Sequence, residues 1–344
     1  MELLLTKNPI IGSLHAKSVS DYFKSFVEEA SEFNIATGFI TNDSIAALKQ
    51  IVEYRNGDLG LNLFIGMNYI EGFTKLQYNA LRDLNSFLCQ NDIGRVFLSP
   101  SALYHGKMYS FIKDDCCLGS FVGSSNLGSF VGTNQSYIES DILFLNDEAS
   151  SISNSIHELI SILGKDVNSL PEITKFIESD TKVLKNYSYV TEVSQIELED
   201  VKSLRTGRSV KVPLKTEAKS NLNTYFGKGK LKNKYSPRGW YEVELILSKN
   251  LENLDILPDK DMGPFPVVTS DGFAFNCERQ GDYSKNLRSS KDLKILGRWI
   301  KGQMENQGAL QIGHPVTEET LLLFGKSHIL FEETTTGTWF ISLK

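Results

Sequence analysis

Short apolar runs alternate with amphipathic helical stretches through the first half of the chain, and this alternation constrains the fold more than any other feature. "NIATGFI" (34–40) reads as a strand. It is followed by "NDSIAALKQIVEY", with Asn42 or Asp43 placed as N-cap and Ile45, Leu48 and Val52 on one helical face. "LNLFIGM" (61–67), a helix to about Gln90 and "RVFLS" (95–99) repeat the unit. Strands joined by helices predict a mainly parallel sheet covered on both faces. Strands then follow one another, "KMYSFI", "CLGSFVGS" and "SDILFL", before the closing helix "ISNSIHELISIL". There Ile152, Ile156, Leu159, Ile160 and Leu163 fall at helical spacing, with Gly164 as a C′ residue. One α/β domain is expected over 1–180.

The second half differs in kind. "WYEVELIL", "FPVVTSDGFAFNCE", "SHILFEE" and "GTWFISL" read as strands broken by Gly, Asp and Pro turns, with one helix over "LGRWIKGQMENQG". Many short strands and few helices predict a mainly-β barrel or sandwich, with Trp240 and Trp299 in its core. Charge changes sign near the same place. The 344 residues carry a formal net charge of −6, yet residues 139–200 hold 13 acidic against 4 basic side chains, net −9. Residues 205–238 hold 10 basic against 1 acidic, net +9. A switch this sharp predicts a boundary near residue 200 and a polyanionic partner for the residues beyond it. The run "FGKGKLKNKYSPRGW" interleaves glycine, aromatics and lysine, as a loop tracking a phosphate backbone does.

Chemistry concentrates in "YHGKMYSF" (104–111), where His105 and Lys107 stand two apart on an expected strand and so share a face. Just downstream, "GSFVGSSNLGS" returns beside the first strand and brings Ser124 and Asn126 near that pair. A nucleophilic imidazole, a fixed cation and two neutral hydrogen-bonding side chains around one point suit a phosphodiester. The imidazole attacks phosphorus while Lys107, Ser124 and Asn126 hold the oxygens. Such a histidine needs a carboxylate to orient its other nitrogen. Glu139 is the nearest candidate and Asp141 the reserve.

Other chemistries find little support. Cys89, Cys116, Cys117 and Cys277 form no CxxC pair, and the five histidines show no HExxH spacing, so neither a metal site nor a cofactor is expected. "FGKS" (324–327) ends like a phosphate loop, but its first glycine would fall at Thr320, which leaves no nucleotide site. His314 before a proline reads as structural and His157 as a surface residue. With 41% hydrophobic and 23% charged residues, no spanning apolar run and no signal-peptide pattern at the N-terminus, the chain is expected in the cytoplasm.

HxK followed by GSxN and then a glutamate resembles the phospholipase D superfamily over residues 20–165, which implies an α/β domain with a mixed sheet and flanking helices. The superfamily signature has an aspartate five positions after the lysine; here that position is Ile112, with Asp114 and Asp115 beyond it. In this the chain resembles the nuclease branch, whose members lack that aspartate. The resemblance implies catalysis by two histidines, one forming a phosphohistidine and the other protonating the leaving oxygen, without a divalent metal. As only one HxK…GSSN set is present, two copies would meet across a two-fold axis. "TSDGFAFNCERQGDYSKNLRSSKDLKILGRWIKGQMENQGAL" resembles the DNA-binding pseudobarrel of plant transcription factors of the B-three type. Two arms of that fold reach the major groove, and by position they would be about Lys211–Arg238 and Arg279–Arg288. Candidate DNA contacts are Arg208, Lys219, Asn221, Asn223, Lys228, Lys230, Lys234, Arg238, Arg279, Tyr283, Lys285, Asn286 and Arg288. Arginine and asparagine are the types that read base edges, and lysine the type that meets phosphate.

The order of the two parts is similar to the restriction endonucleases of the BfiI and NgoFVII group. That implies a nuclease domain over 1–180, a linker over 181–210 and a DNA-recognition domain over 190–344. It also implies a homodimer cutting double-stranded DNA at a short, asymmetric, GC-containing site, a companion methyltransferase and, in some members, a separate helicase-like ATPase subunit. Two competing readings are a phospholipid hydrolase, for which no apolar groove or interfacial helix is found, and a DNA-binding regulator with an inactive nuclease domain, against which the intact His105, Lys107, Ser124 and Asn126 argue.

Overall fold

A computed structural model describes residues 1–6, 17–131, 138–178, 182–218, 221–227 and 238–344. The described residues fall into two compact units, one of residues 1–178 with Arg238 and Gly239, the other of residues 182–227 and 240–344.

In chain order the first unit holds β1 (Glu2–Leu5), β2 (Lys17–Ser18), α1 (Val19–Glu29), β3 (Glu32–Thr37), α2 (Asn42–Tyr54) and β4 (Gly60–Ile65). Next come α3 (Asn68–Glu71), α4 (Lys75–Gln90), β5 (Gly94–Leu98), β6 (Lys107–Lys113) and β7 (Cys116–Gly123). The unit ends with α5 (Leu127–Phe130), β8 (Ser140–Phe144), α6 (Asn146–Leu163) and β9 (Lys165–Asp166). Among the described residues they form a nine-stranded sheet in the order β2-β1-β8-β7-β6-β3-β4-β5-β9. Only β1–β2, β3–β4 and β4–β5 are parallel, so the sheet is mixed, as the phospholipase D resemblance implies, and not mainly parallel as the helix-linked strands alone predict. The reason is local: β6, β7 and β8 are joined without a long helical crossover and so pair antiparallel.

The central strands are apolar on both faces because both are covered. On one side Phe23 and Phe26 of α1 and Phe130 of α5 meet Phe33, Phe111 and Phe121, with the Phe33 and Phe111 rings stacked 4.3 Å apart. On the other Ile156 of α6 packs on Ala36 and Phe64. Burying each such side chain stabilises the fold by about 1.5–3 kcal/mol. Helix starts depend on caps: Thr41, not Asn42 or Asp43, caps α2 by accepting from the Ser44 N–H, and Thr74 and Gln77 form a reciprocal box at α4. Gly164 is the C-cap of α6, at φ −77°, rather than the C′ residue expected.

The second unit holds β10 (Thr191–Glu192), α7 (Gln195–Ser203), β11 (Arg205–Pro213), β12 (Leu245–Ile246), β13 (Phe265–Thr269) and β14 (Phe273–Gln280). After these come β15 (Asn286–Ser289), α8 (Lys294–Asn306), α9 (Glu318–Phe324), β16 (His328–Thr334) and β17 (Trp339–Leu343). The sheet runs β11-β16-β17-β13-β14-β15-β12, with β10 also pairing β14. Most of the stretch expected as a linker is built into this unit. β10 pairs with the first residues of β14, Leu198 of α7 packs on Val268 and Phe340, and β11 pairs with β16.

"WYEVELIL" is a strand only at Leu245–Ile246, because its first residues serve a buried polar network instead. Glu305 of α8, 3% exposed, accepts from the Trp240 indole N–H and the Tyr241 hydroxyl, each at 2.8 Å. Lys301, fully buried, donates to the Trp240 carbonyl at 2.8 Å and lies 4.0 Å from the centre of its ring. Both tryptophans are core residues as expected.

Burial pushes the Glu305 carboxyl up to about 7. An acid whose folded pKa is raised stabilises the fold fully below its unfolded pKa near 4.3, and that stability is lost as pH rises through about 7. Urea unfolding across this window is expected to show the wild type losing about 3 kcal/mol relative to Glu305→Gln. Parallel pH profiles would contradict it.

Candidate functional site

Lys107 opens β6 and pairs with Thr37 at the end of β3. One step from the Met108–Val122 pair brings Lys107 opposite Gly123, and Gly123 pairs with Asp141 on β8. Lys107, Gly123 and Asp141 thus form one row across three strands, each about 4.8 Å from the next. The residues before Lys107, after Gly123 and before Ser140 therefore leave the sheet at the same end, and this brings His105, Ser124, Asn126 and Glu139 to one region.

His105 is not on the strand. It lies exposed in the loop before β6, while Lys107 is 8% exposed and its ammonium donates to the His105 carbonyl at 3.0 Å. The loop leaves the strand path because Tyr104 folds down onto Gly66. A Cβ at Gly66 would lie 2.4 Å from the Tyr104 carbonyl oxygen and 2.5 Å from its Cβ. The Tyr104 N–H donates to the Gly66 carbonyl at 3.2 Å, and its ring meets Phe64 edge-on. Burial pushes its hydroxyl up to about 12, which keeps it protonated. The His105 ring lies edge-on to Phe39, centroids 5.7 Å apart.

Ser124 and Asn126 are exposed and Ser125 between them is buried. The Ser124 hydroxyl donates to Glu139 Oε2 at 2.5 Å and accepts from the Ser140 N–H. Glu139 is fixed in turn by Thr6, whose hydroxyl accepts from the Glu139 N–H at 2.9 Å and whose own N–H donates to the Glu139 carbonyl. Asp141, 1% exposed, accepts from both the hydroxyl and the N–H of Ser125. The two carboxylates offered as alternatives thus bond to different serines. An exposed imidazole, a half-anchored ammonium, a hydroxyl and an amide side chain gathered at one sheet end can hold a tetrahedral anion and attack it. Among the described residues no three His, Cys, Asp or Glu side chains gather to hold a metal ion. Sequence reading missed Tyr104, Tyr109 and Ser125. For Ser125 the signal was present: in an extended "SSN" the middle residue faces away from its neighbours.

In the second unit the candidate contacts separate. Arg279 is 6% exposed and donates to the carbonyls of Ser284 and Leu257 at 2.7 and 2.8 Å. It shares the inward row of β14 with Phe273, Phe275 and Cys277, so it is not available to a base edge. Asn223 is buried, bonded to the Thr216 and Val316 backbone, and Asn221 is buried beside it. Arg288 is held between Glu278 and Glu244 at 3.0 and 3.2 Å. Arg208 is exposed in an ion pair with Glu333 and Asn286 is half-buried, while Arg238, which belongs to the first unit, is half-buried there. Tyr283 and Lys285 are exposed on the β14–β15 turn, with the Lys249 ammonium 4.1 Å from the Tyr283 ring centre. Lys219, Lys228, Lys230 and Lys234 lie outside the described residues. His157 is exposed, beside Glu32.

Among the described residues no helix is long and apolar enough to cross a membrane. No curated protein matches the chain. Among solved structures, Nuc from Salmonella typhimurium, a phospholipase D family member, is 16% identical, with 43% of this chain and 90% of that chain covered and a TM-score of 0.31. TrmBL2, an archaeal chromatin protein, is 13% identical, with 48% of this chain covered and a TM-score of 0.29; the match spans 54% of its length. At these scores neither likeness bears on function. Two family models match, the NgoFVII restriction endonuclease N-terminal phospholipase D domain over residues 17–169 and the NgoFVII C-terminal B3-like DNA-binding domain over residues 201–335. With the first laid over the His105–Asn126 end of the mixed sheet and the second over β11 to β16, the chain belongs to the NgoFVII-type restriction endonucleases.

Proposed function

We propose that the protein is a homodimeric endonuclease that cuts DNA through a phosphohistidine on His105, without a metal ion. The observation that carries this reading is the row of Lys107, Gly123 and Asp141, which sets the His105–Lys107 HxK and the GSSN at the same sheet end. An imidazole nitrogen of His105 forms a bond to phosphorus while Lys107, Ser124 and Asn126 hold the non-bridging oxygens. The P–O bond to the leaving strand breaks, and its oxygen takes a proton from the partner's His105. Water then breaks the P–N bond, gives its proton back to the partner's His105 and leaves a phosphate monoester. Glu139 is the carboxylate that orients His105. Two copies are required because the chain supplies one HxK…GSSN set, the second HxK at His15 and Lys17 having no GSSN close behind it, and the reaction uses two histidines.

Double-stranded DNA is the partner of the second unit, and a short, asymmetric, GC-containing site is the target. Tyr283 and Lys285 on the β14–β15 turn and Arg208 on β11 are the described contacts this reading favours, with Lys219, Lys228, Lys230 and Lys234 adding phosphate contacts. A companion methyltransferase protects host DNA, any DNA translocation comes from a separate helicase-like ATPase subunit, and the assembly works in the cytoplasm.

Incubating a mixed-sequence plasmid with the protein in excess EDTA is expected to give discrete fragments from the wild type and none from His105→Ala. Fragments from both proteins would remove His105 as nucleophile. Binding of the full chain to duplex DNA is expected to weaken linearly in log–log salt titrations, and Lys285→Ala to flatten the slope by about 1. An unchanged slope would take Lys285 out of the phosphate contacts.

A further inference from the structure

The turn that carries Ser124 and Asn126 is held from below by one residue's worth of hydrogen bonds. Every polar group of Ser125 is used inside the fold. Its hydroxyl donates to Asp141 Oδ2, its N–H donates to Asp141 Oδ1 at 3.3 Å, and its carbonyl accepts from the Tyr109 hydroxyl at 2.9 Å. Ser125 and Tyr109 are fully buried and Asp141 is 1% exposed. The space for this carboxylate exists because residue 123 is glycine, where a Cβ would lie 2.3 Å from Asp141 Oδ1 and 2.4 Å from the Ser140 carbonyl oxygen. Side chains alternate along an extended chain, so pinning Ser125 inward turns Ser124 and Asn126 outward.

We propose that Asp141 is a positioning residue: its grip on Ser125, completed by Tyr109, fixes the two exposed side chains that hold the reacting phosphodiester, and its charge takes no part in proton transfer. The assignment rests on the nuclease reading above for its consequence and on geometry alone for the clamp. Glu139 differs in each respect that matters. It is half-buried, not enclosed, and its carboxylate meets the exposed Ser124 rather than the buried Ser125. Burial also raises the Asp141 carboxyl above its ordinary range, as fits a group enclosed among neutral donors.

The test is hydrolysis of bis(4-nitrophenyl) phosphate by the full chain, together with thermal unfolding and amide hydrogen exchange over residues 123–127. Asp141→Ala removes both acceptors and is expected to lower kcat by about 100-fold, the scale of an ångström-level misplacement, and to speed exchange at the Ser125 amide. Asp141→Asn keeps an oxygen for that amide, so activity is expected to return to within about tenfold of wild type with an unshifted pH–rate profile. In an Asn126→Ala background the loss caused by Asp141→Ala should shrink, because the clamp acts through that side chain. Asp141→Asn as slow as Asp141→Ala would overturn the proposal in favour of a carboxylate used for its charge. A wild-type kcat in Asp141→Ala would overturn it outright. Where Asp141→Ala does not fold, Ser125→Ala replaces it: a loss of about tenfold supports the clamp, and an unchanged kcat sinks it. If the diester stays intact even with wild type, the nuclease reading fails on its own. Exchange still judges the clamp in that case, faster exchange at Ser125 upholding it and unchanged exchange overturning it.

Discussion

A slip of one residue between β6 and β7 would take Lys107 out of its row with Gly123 and Asp141 and turn it to the other face of the sheet, since strand side chains alternate. Three features prevent it. The hairpin turns on Asp114 and Asp115, both at positive φ (49° and 64°), the backbone that matches a two-residue turn to strand twist. A register shift between Phe111 and Ile112 absorbs the one irregularity close to that turn, away from the site. Beyond it Phe111 stacks on Phe33 and the Tyr109 hydroxyl is bonded to Ser125, so each buried position of β6 has a fixed partner.

Much of this architecture is legible in the residues. Period-2 and period-3.6 patterns mark β3, α2, β4, α4 and β5, because each buries a continuous face against the sheet or a helix. HxK and GSSN are legible as a pair because only one strand return separates them. Off-strand placement of His105 is not legible. It depends on Tyr104 meeting Gly66, a contact between residues 38 positions apart that no local pattern encodes. The cap at Thr41 illustrates a smaller limit, since Thr41, Asn42 and Asp43 are all capping types and only the backbone chooses. Arg279 is the opposite case. Its inward position follows from the Phe273, Phe275, Cys277 alternation, and a guanidinium in that series belongs with the core.

The second unit uses charge as structure. Glu305 and Lys301 sit in the core beside Trp240 and Tyr241, and each ionisable group has a hydrogen-bonded partner that offsets its burial. This is why "WYEVELIL" departs from a ladder strand: its first carbonyl belongs to Lys301, and its first two side chains belong to Glu305.

That use of charge changes how the unit presents itself at a distance. Lys301 is fully enclosed, Arg279 faces carbonyl oxygens, and Arg205, Arg208 and Arg288 each stand within 3.2 Å of a glutamate. Five cations in a count of basic residues are thus screened at short range by their own neighbours and add little to the potential felt several ångströms into solvent. A polyanion approaching the described surface meets a sparser set of free cations than the composition suggests, so long-range attraction and final docking rest on different residues.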